Sequence, residues 1–161
     1  MDGPRLSGAG MVSVAIELRA VVATGVDPEI PVLTIDDLGI LRSVEMDGDR
    51  AVVTITPTYS GCPAMRQIAD DIASALVRVG VDDFDIRLTH HPAWSTEWIS
   101  EEGRGKLAAF GIAPPSPEPE ILCPRCEADH PRMVARFGAT ACKALMVCGS
   151  CGEPFDYFKR F

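Results

Sequence analysis

The chain has 161 residues, 47% of them hydrophobic and 24% charged, with a formal net charge of −8. This composition is globular and long enough for one ordinary domain or for a smaller one with an appendage. The acidic balance speaks against a broad phosphate-binding surface, and so against nucleic acid as a partner. No apolar run approaches the roughly 20 residues that a bilayer-spanning helix needs, and the N-terminus lacks a basic segment followed by an apolar one. A cytoplasmic setting without a membrane partner is therefore expected, and in that reducing compartment six cysteines read as ligands or reactive thiols rather than disulfides. Charge is uneven: residues 121–161 carry six Lys/Arg and four Asp/Glu, a balance of +2, which leaves −10 for residues 1–120. The asymmetry suits docking to a protein partner as well as a solvated acidic face.

Residues 1–11, rich in glycine and small side chains, are expected to be disordered. Ser13 can cap a helix to about Ala23, with Val14, Leu18, Val21 and Val22 along one side, and Gly25 ends it. Asp27-Pro28-Glu29-Ile30-Pro31 cannot be a helix interior, because its two prolines remove donors and push their predecessors towards extended geometry. It should be an ordered surface loop, with Asp27 and Glu29 available to a metal or a partner's basic group, or simply solvated in a turn. The runs Ile40–Met46 and Arg50–Thr56 flank Asp47-Gly48-Asp49, a hairpin signal.

The second run breaks at a proline in Thr56-Pro57-Thr58-Tyr59-Ser60-Gly61-Cys62-Pro63. Pro63 suits the first position of the helix that follows to about Val79, and Met65, Ile68, Ile72, Leu76 and Val79 make its core stripe. Cys62 then sits at or beside the N-cap, where unpaired N–H groups favour the thiolate, the form that binds metal or attacks an electrophile. The plainer reading is a cysteine that only packs. Phe84, Ile86 and Leu88 alternate with polar residues in a third strand. His90 and His91 follow it, and extended neighbours diverge, so at most one of them ligates an ion. Trp94 and Trp98 are expected over the core, and Ser100 caps a last helix near Phe110.

Pro114-Pro115-Ser116-Pro117-Glu118-Pro119 marks a boundary, giving a domain over 12–112, a linker over 113–120 and a module over 121–161. In that module Cys123-Pro124-Arg125-Cys126 and Cys148-Gly149-Ser150-Cys151 are separated by 21 residues holding two β-like runs, Met133–Phe137 and Lys143–Val147. Paired C-x-x-C knuckles bring four thiolates onto one tetrahedral ion, and zinc in a closed structural site is the expectation. A four-iron cluster on the same sulfurs and a disulfide-bonded tail are the competing readings. Cys142 is left over: it is open to a pKa lowered by Lys143 beside it, to a small buried role or to use as an alternate ligand, and His130 could replace a cysteine in the site, although four cysteines suffice. Phe155, Tyr157, Phe158 and Phe161 offer more aromatic surface than a short ribbon easily buries and should pack on the first domain or on a partner subunit.

The fold expected is therefore α+β, a sheet of about three strands packed with helices, followed by a C-terminal β zinc ribbon. The Asp27-Pro28-Glu29-Ile30-Pro31 loop, Asp37-Leu38-Gly39-Ile40 and the Gly61-Cys62-Pro63 stretch together resemble the SufT-like domain of iron–sulfur assembly accessory proteins. With Pro92-Ala93-Trp94-Ser95-Thr96-Glu97-Trp98-Ile99, Phe137–Lys143 and Glu153–Lys159 added, the whole chain resembles the PaaD (PaaJ) family. These are small accessory subunits encoded with the multicomponent phenylacetyl-CoA epoxidase of aerobic phenylacetate degradation. The resemblance implies a role in maturing the epoxidase's iron–sulfur or iron centres. Cys62 would transiently hold iron or a cluster, Asp27, Glu29, Thr58 and Cys142 would be accessory to it, and the partners would be the reductase or oxygenase subunits and the iron–sulfur assembly machinery. A non-catalytic bridge within the epoxidase complex is the alternative. No Glu-x-x-His pair for di-iron, no Gly-rich dinucleotide loop and no Ser/His/Asp set marks the chain as catalytic itself.

Overall fold

Alternation between residues 40 and 56 is realised as an antiparallel hairpin of β1 (Leu41–Asp47) and β2 (Arg50–Ile55), with Asp47 opposite Arg50. Gly48, at φ 62, supplies the left-handed residue that so tight a turn requires. The computed structural model describes residues 8–116 and 121–161 of the protein, and these form two compact units, Met1–Trp94 and Ser95–Phe161.

In the first unit, β3 (Phe84–Leu88) adds to β2 in parallel, giving the order β1-β2-β3. A parallel neighbour needs a crossover. That crossover is α2 (Ala64–Arg78), which buries Met65, Ile68, Ile72, Ala75 and Leu76. Val79, expected in the same stripe, is the C-cap and stays 49% exposed, because the helix has already ended there. α1 (Gly8–Ala23) starts five residues before the expected cap. Ser13 lies inside it, its hydroxyl 3.5 Å from Glu17 Oε1. The disordered terminus expected over 1–11 is thus helical from Gly8, and residues 1–7 lie outside the described residues. Leu18 and Val22 of α1 are buried while Val12 and Ile16 remain exposed, so the helix carries apolar residues beyond its core face. Trp94 is buried and its Nε1 donates to the Leu38 carbonyl at 2.7 Å, which fixes the segment after β3 to the loop before β1.

The second unit begins with a 3-10 turn, Thr96–Trp98, and α3 (Glu101–Phe110). The Ser100 hydroxyl accepts from the Gly103 N–H at 2.9 Å, the cap read from the sequence. Two strands that sequence reasoning missed complete a four-stranded sheet in the order β4-β7-β6-β5. These are β4 (Ile112–Ala113) and β7 (Pro154–Phe158), joined by β5 (Arg132–Ala135) and β6 (Lys143–Val147). β4 pairs with β7 in parallel, so α3 and the start of the expected linker lie in the same unit as the ribbon. The chain therefore divides at Trp94/Ser95, ahead of the proline-rich stretch. Residues 117–120 of that stretch lie outside the described residues.

The aromatic tail is a correction. Phe155, Tyr157 and Phe158 are 5%, 8% and 1% exposed, and the first two pack with Ala113, Ala144 and Met146 in the core of the second unit; only Phe161, at 46%, stays exposed. The physical reason is the unforeseen sheet, whose extra strands give these rings a face to bury against. No helix among the described residues is long and apolar enough to cross a membrane.

Candidate metal centre and the Cys62 loop

The first knuckle precedes β5, and the second joins β6 to β7. They converge so that the sulfurs of Cys123, Cys126, Cys148 and Cys151 all lie within 4.8 Å of one another. Cys123 and Cys151 are 3.8 Å apart and Cys126 and Cys148 3.5 Å. Four sulfurs about 2.3 Å from a central zinc stand about 3.8 Å apart, so the cage fits one tetrahedral ion. An iron–sulfur cluster would put several atoms between the thiolates, and the cage has no room for them. The four thiols form no disulfide. The knuckle amides are arranged to carry negative sulfur: the N–H groups of Cys151 and Ser150 both reach Cys148 Sγ at 3.4 Å. Chiefly through the Cys151 amide, the Cys148 thiol is lowered to about 6. The Ala128 amide acts likewise on Cys126, yet the Cys148 and Cys151 sulfurs beside it push that thiol up to about 12. An ion entering the cage displaces the protons that its thiols still hold.

Cys62 lies just before α2, with Pro63 as the N-cap residue rather than the first helical one. The turn is closed by the Cys62 N–H donating to the Tyr59 carbonyl at 3.2 Å, and Gly61, at φ 79, makes it possible. The half-buried sulfur receives hydrogen bonds from the Ala64 N–H and the Thr58 hydroxyl, and both favour the thiolate. They do not prevail. Burial first, and then the charges of Glu29 and Asp27, push the Cys62 thiol above its ordinary value. The expected low-pKa thiolate is thus overturned: the helix end contributes one amide, while the loop from Asp27 to Pro31 brings two carboxylates close.

Asp27, Glu29 and Thr58, singled out from the sequence, therefore do gather around Cys62. Asp27 is 6% exposed and its Oδ1 accepts from the Glu29 and Ile30 amides at 2.7 and 2.9 Å, which orders the loop. The Val26–Thr34 bridge closes the same loop. These groups do not form a ready chelate: among the described residues only the four ribbon cysteines bring three or more metal-binding atoms that close together. Thr56, at the end of β2, is fully buried, and its hydroxyl has no hydrogen-bond partner. Its position in an apolar strand gave no signal of this.

Cys142 stands apart from the four-sulfur cage, buried, with the Thr140 hydroxyl 3.0 Å from its sulfur. Lys143, expected to act on it, is itself buried and reaches Asp156 at 3.1 Å. His90 and His91 are exposed and outside any metal-binding group, and His130 lies 3.4 Å from Asp129 rather than in the cage.

Comparison with known proteins matches residues 112–159 to the PaaD zinc beta ribbon domain and residues 16–83 to an iron–sulfur cluster assembly protein family. A putative 1,2-phenylacetyl-CoA epoxidase subunit of Escherichia coli strain K12 is 45% identical over 150 residues, which is 89% of this chain and 91% of that one. An Fe–S protein maturation auxiliary factor of Porphyromonas gingivalis is 39% identical over 93 residues, 56% of this chain and 88% of its own. The crystal structure of a DUF59 domain from Bacillus anthracis shares the fold with a TM-score of 0.58 at 28% identity, over 63% of this chain and 97% of the domain. Identity at the level of the Escherichia coli relative over most of both chains, together with the ribbon's own match, makes the chain a member of the PaaD family.

Proposed function

We propose that this protein is an accessory factor of a phenylacetyl-CoA epoxidase, assisting assembly or insertion of its iron–sulfur or iron centres, with Cys62 as the residue that handles the metal. The observation that carries this reading is the gathering of Asp27, Glu29 and Thr58 around the half-exposed Cys62 sulfur. Two carboxylates draw a cation towards a thiol that would otherwise keep its proton. Capture then reads as an exchange, in which the sulfur–proton bond breaks, a sulfur–iron bond forms and the proton leaves to solvent. Iron is cargo here. The resident ion is zinc, held by Cys123, Cys126, Cys148 and Cys151 with no open position, so its role is to hold the ribbon. Family membership supports the partners: the epoxidase's reductase or oxygenase subunits and the iron–sulfur assembly machinery.

The raised pKa of Cys62 favours a second reading, a bridging subunit in which this thiol does no chemistry. Epoxidase produced with the Cys62→Ser variant separates the two. Reduced iron or cluster content, restored by adding wild-type protein and ferrous iron, is expected for metal handling. Full loading with the serine variant would leave the bridge.

A further inference from the structure

The outer strand of the ribbon does not behave as ribbon core. β5 ends the order β4-β7-β6-β5, so among the described residues one of its edges has no strand beside it. Met133, Val134 and Phe137, on β5 and just after it, are 49%, 48% and 62% exposed. The core of the second unit draws on β4, β6 and β7 and takes nothing from β5. Apolar, β-prone residues left in water on an open edge are a template for another strand.

Charge says which strand. From Pro131 to Cys148 the chain has Arg132, Arg136 and Lys143 and no Asp or Glu at all, in a protein whose net charge is −8. Lys143 is committed to Asp156. Arg132 and Arg136 are exposed on the edge. Lys159 joins them: its ammonium donates to the Arg136 carbonyl at 3.1 Å and lies 4.2 Å from the Phe137 ring centroid. The β-bulge between Met133 and Ala135 and the like charges discourage two copies from pairing through this edge. The same charges admit an acidic strand.

We propose that the β5 edge, with Arg132, Arg136, Lys159 and the exposed Met133, Val134 and Phe137, is the docking site for an acidic extended segment of a partner protein. Main-chain hydrogen bonds to β5 supply affinity, apolar residues of the segment cover Met133, Val134 and Phe137, and its carboxylates meet the three cations. The surface lies in the ribbon and uses none of the Cys62 groups, so it stands or falls separately from metal handling.

The test uses the full metal-loaded chain and a fluorescein-labelled peptide of alternating glutamate and valine. Saturable binding is expected, with amide shifts mapping to β5 and affinity falling about tenfold or more in R132E/R136E. Metal content equal to wild type shows that this variant is folded, and Phe137→Ser provides a second variant that leaves the charges in place and should also weaken binding. Cys62→Ser should bind as wild type. Equal affinity for the corresponding lysine–valine peptide, shifts that map away from β5, or tighter binding of a single-stranded oligonucleotide would overturn the proposal. So would a dimer in sedimentation that R132E/R136E dissolves, since the occupant would then be a second copy.

Discussion

Around Cys62 the groups that favour the thiolate, the Ala64 amide and the Thr58 hydroxyl, are outweighed by burial and by Glu29 and Asp27. Thiolate therefore forms only at higher pH than for a free cysteine, whose pKa is about 8.5. The alkylation rate of Cys62 should have its midpoint above that value. Glu29→Gln removes a negative charge and should bring the midpoint down, and Thr58→Val removes a hydrogen bond to sulfur and should move it up. A midpoint below that of free cysteine would show that the helix end governs the site after all. Trp94 offers a residue-scale test of stability. Phenylalanine there keeps one aromatic ring of the indole's two and leaves the Leu38 carbonyl without the Nε1 donor it has at 2.7 Å. A loss of about 1–3 kcal/mol is expected from urea unfolding of Trp94→Phe.

At the scale of elements, the ribbon's strands are short, and four of the residues that tie them together are the candidate metal ligands of the four-sulfur cage. β4 spans two residues, and the knuckles are held by sulfur contacts and by single amides reaching Cys148. Without an ion, four thiols are crowded within 4.8 Å, and a closed tetrahedral site contributes folding free energy directly. Chelation, or serine at any one of Cys123, Cys126, Cys148 and Cys151, should release the metal and abolish protected amides in β5, β6 and β7. Acid should act in the same direction, because protons compete for the thiolates. α3 gives a milder test: its cap is the Ser100 hydroxyl bonded to the Gly103 amide. Ser100→Ala should cost about 1 kcal/mol in the second unit and leave the first unchanged, read by hydrogen exchange.

For the whole molecule, the division at Trp94/Ser95 predicts where the chain can be cut. A chain ending after Trp94 retains α1, α2 and the three-stranded sheet and should unfold cooperatively. Extending it to Ala113 adds α3 and β4 without β7, the strand β4 pairs with, so the longer fragment should gain no stability in urea. A gain of more than about 1 kcal/mol, the size of a helix cap, would place α3 with the first unit instead. Loss of the ion should likewise leave amide protection in α2 and β2 intact, since their core comes from Ile55, Ile68, Ile72 and Leu76, all within the first unit.

The local signals were legible wherever physics is local. Alternation fixed the β1–β2 hairpin, a 3.6-residue stripe fixed α2, a serine fixed the start of α3, and the paired C-x-x-C spacing alone singled out the four sulfurs that converge, because a knuckle's geometry is contained in its own residues. Resemblance supplied the family. What the sequence left open depended on partners distant in the chain. β7 hid its aromatic residues behind what looked like an exposed tail, since a strand is recognised by the neighbour it pairs with. The first turns of α1, made of glycine and small residues, carried only weak helix preference. The pKa of Cys62 turned on two carboxylates more than 30 residues earlier in the chain, and no local rule about helix ends contains them. The open edge of β5 exists only because β6 pairs on one side of it and, among the described residues, no strand does on the other. Residue type and spacing determined the candidate ligands and the elements; long-range packing decided the burial, the neighbouring charges and the free edge, and those set the environment of Cys62 and the face the ribbon leaves open.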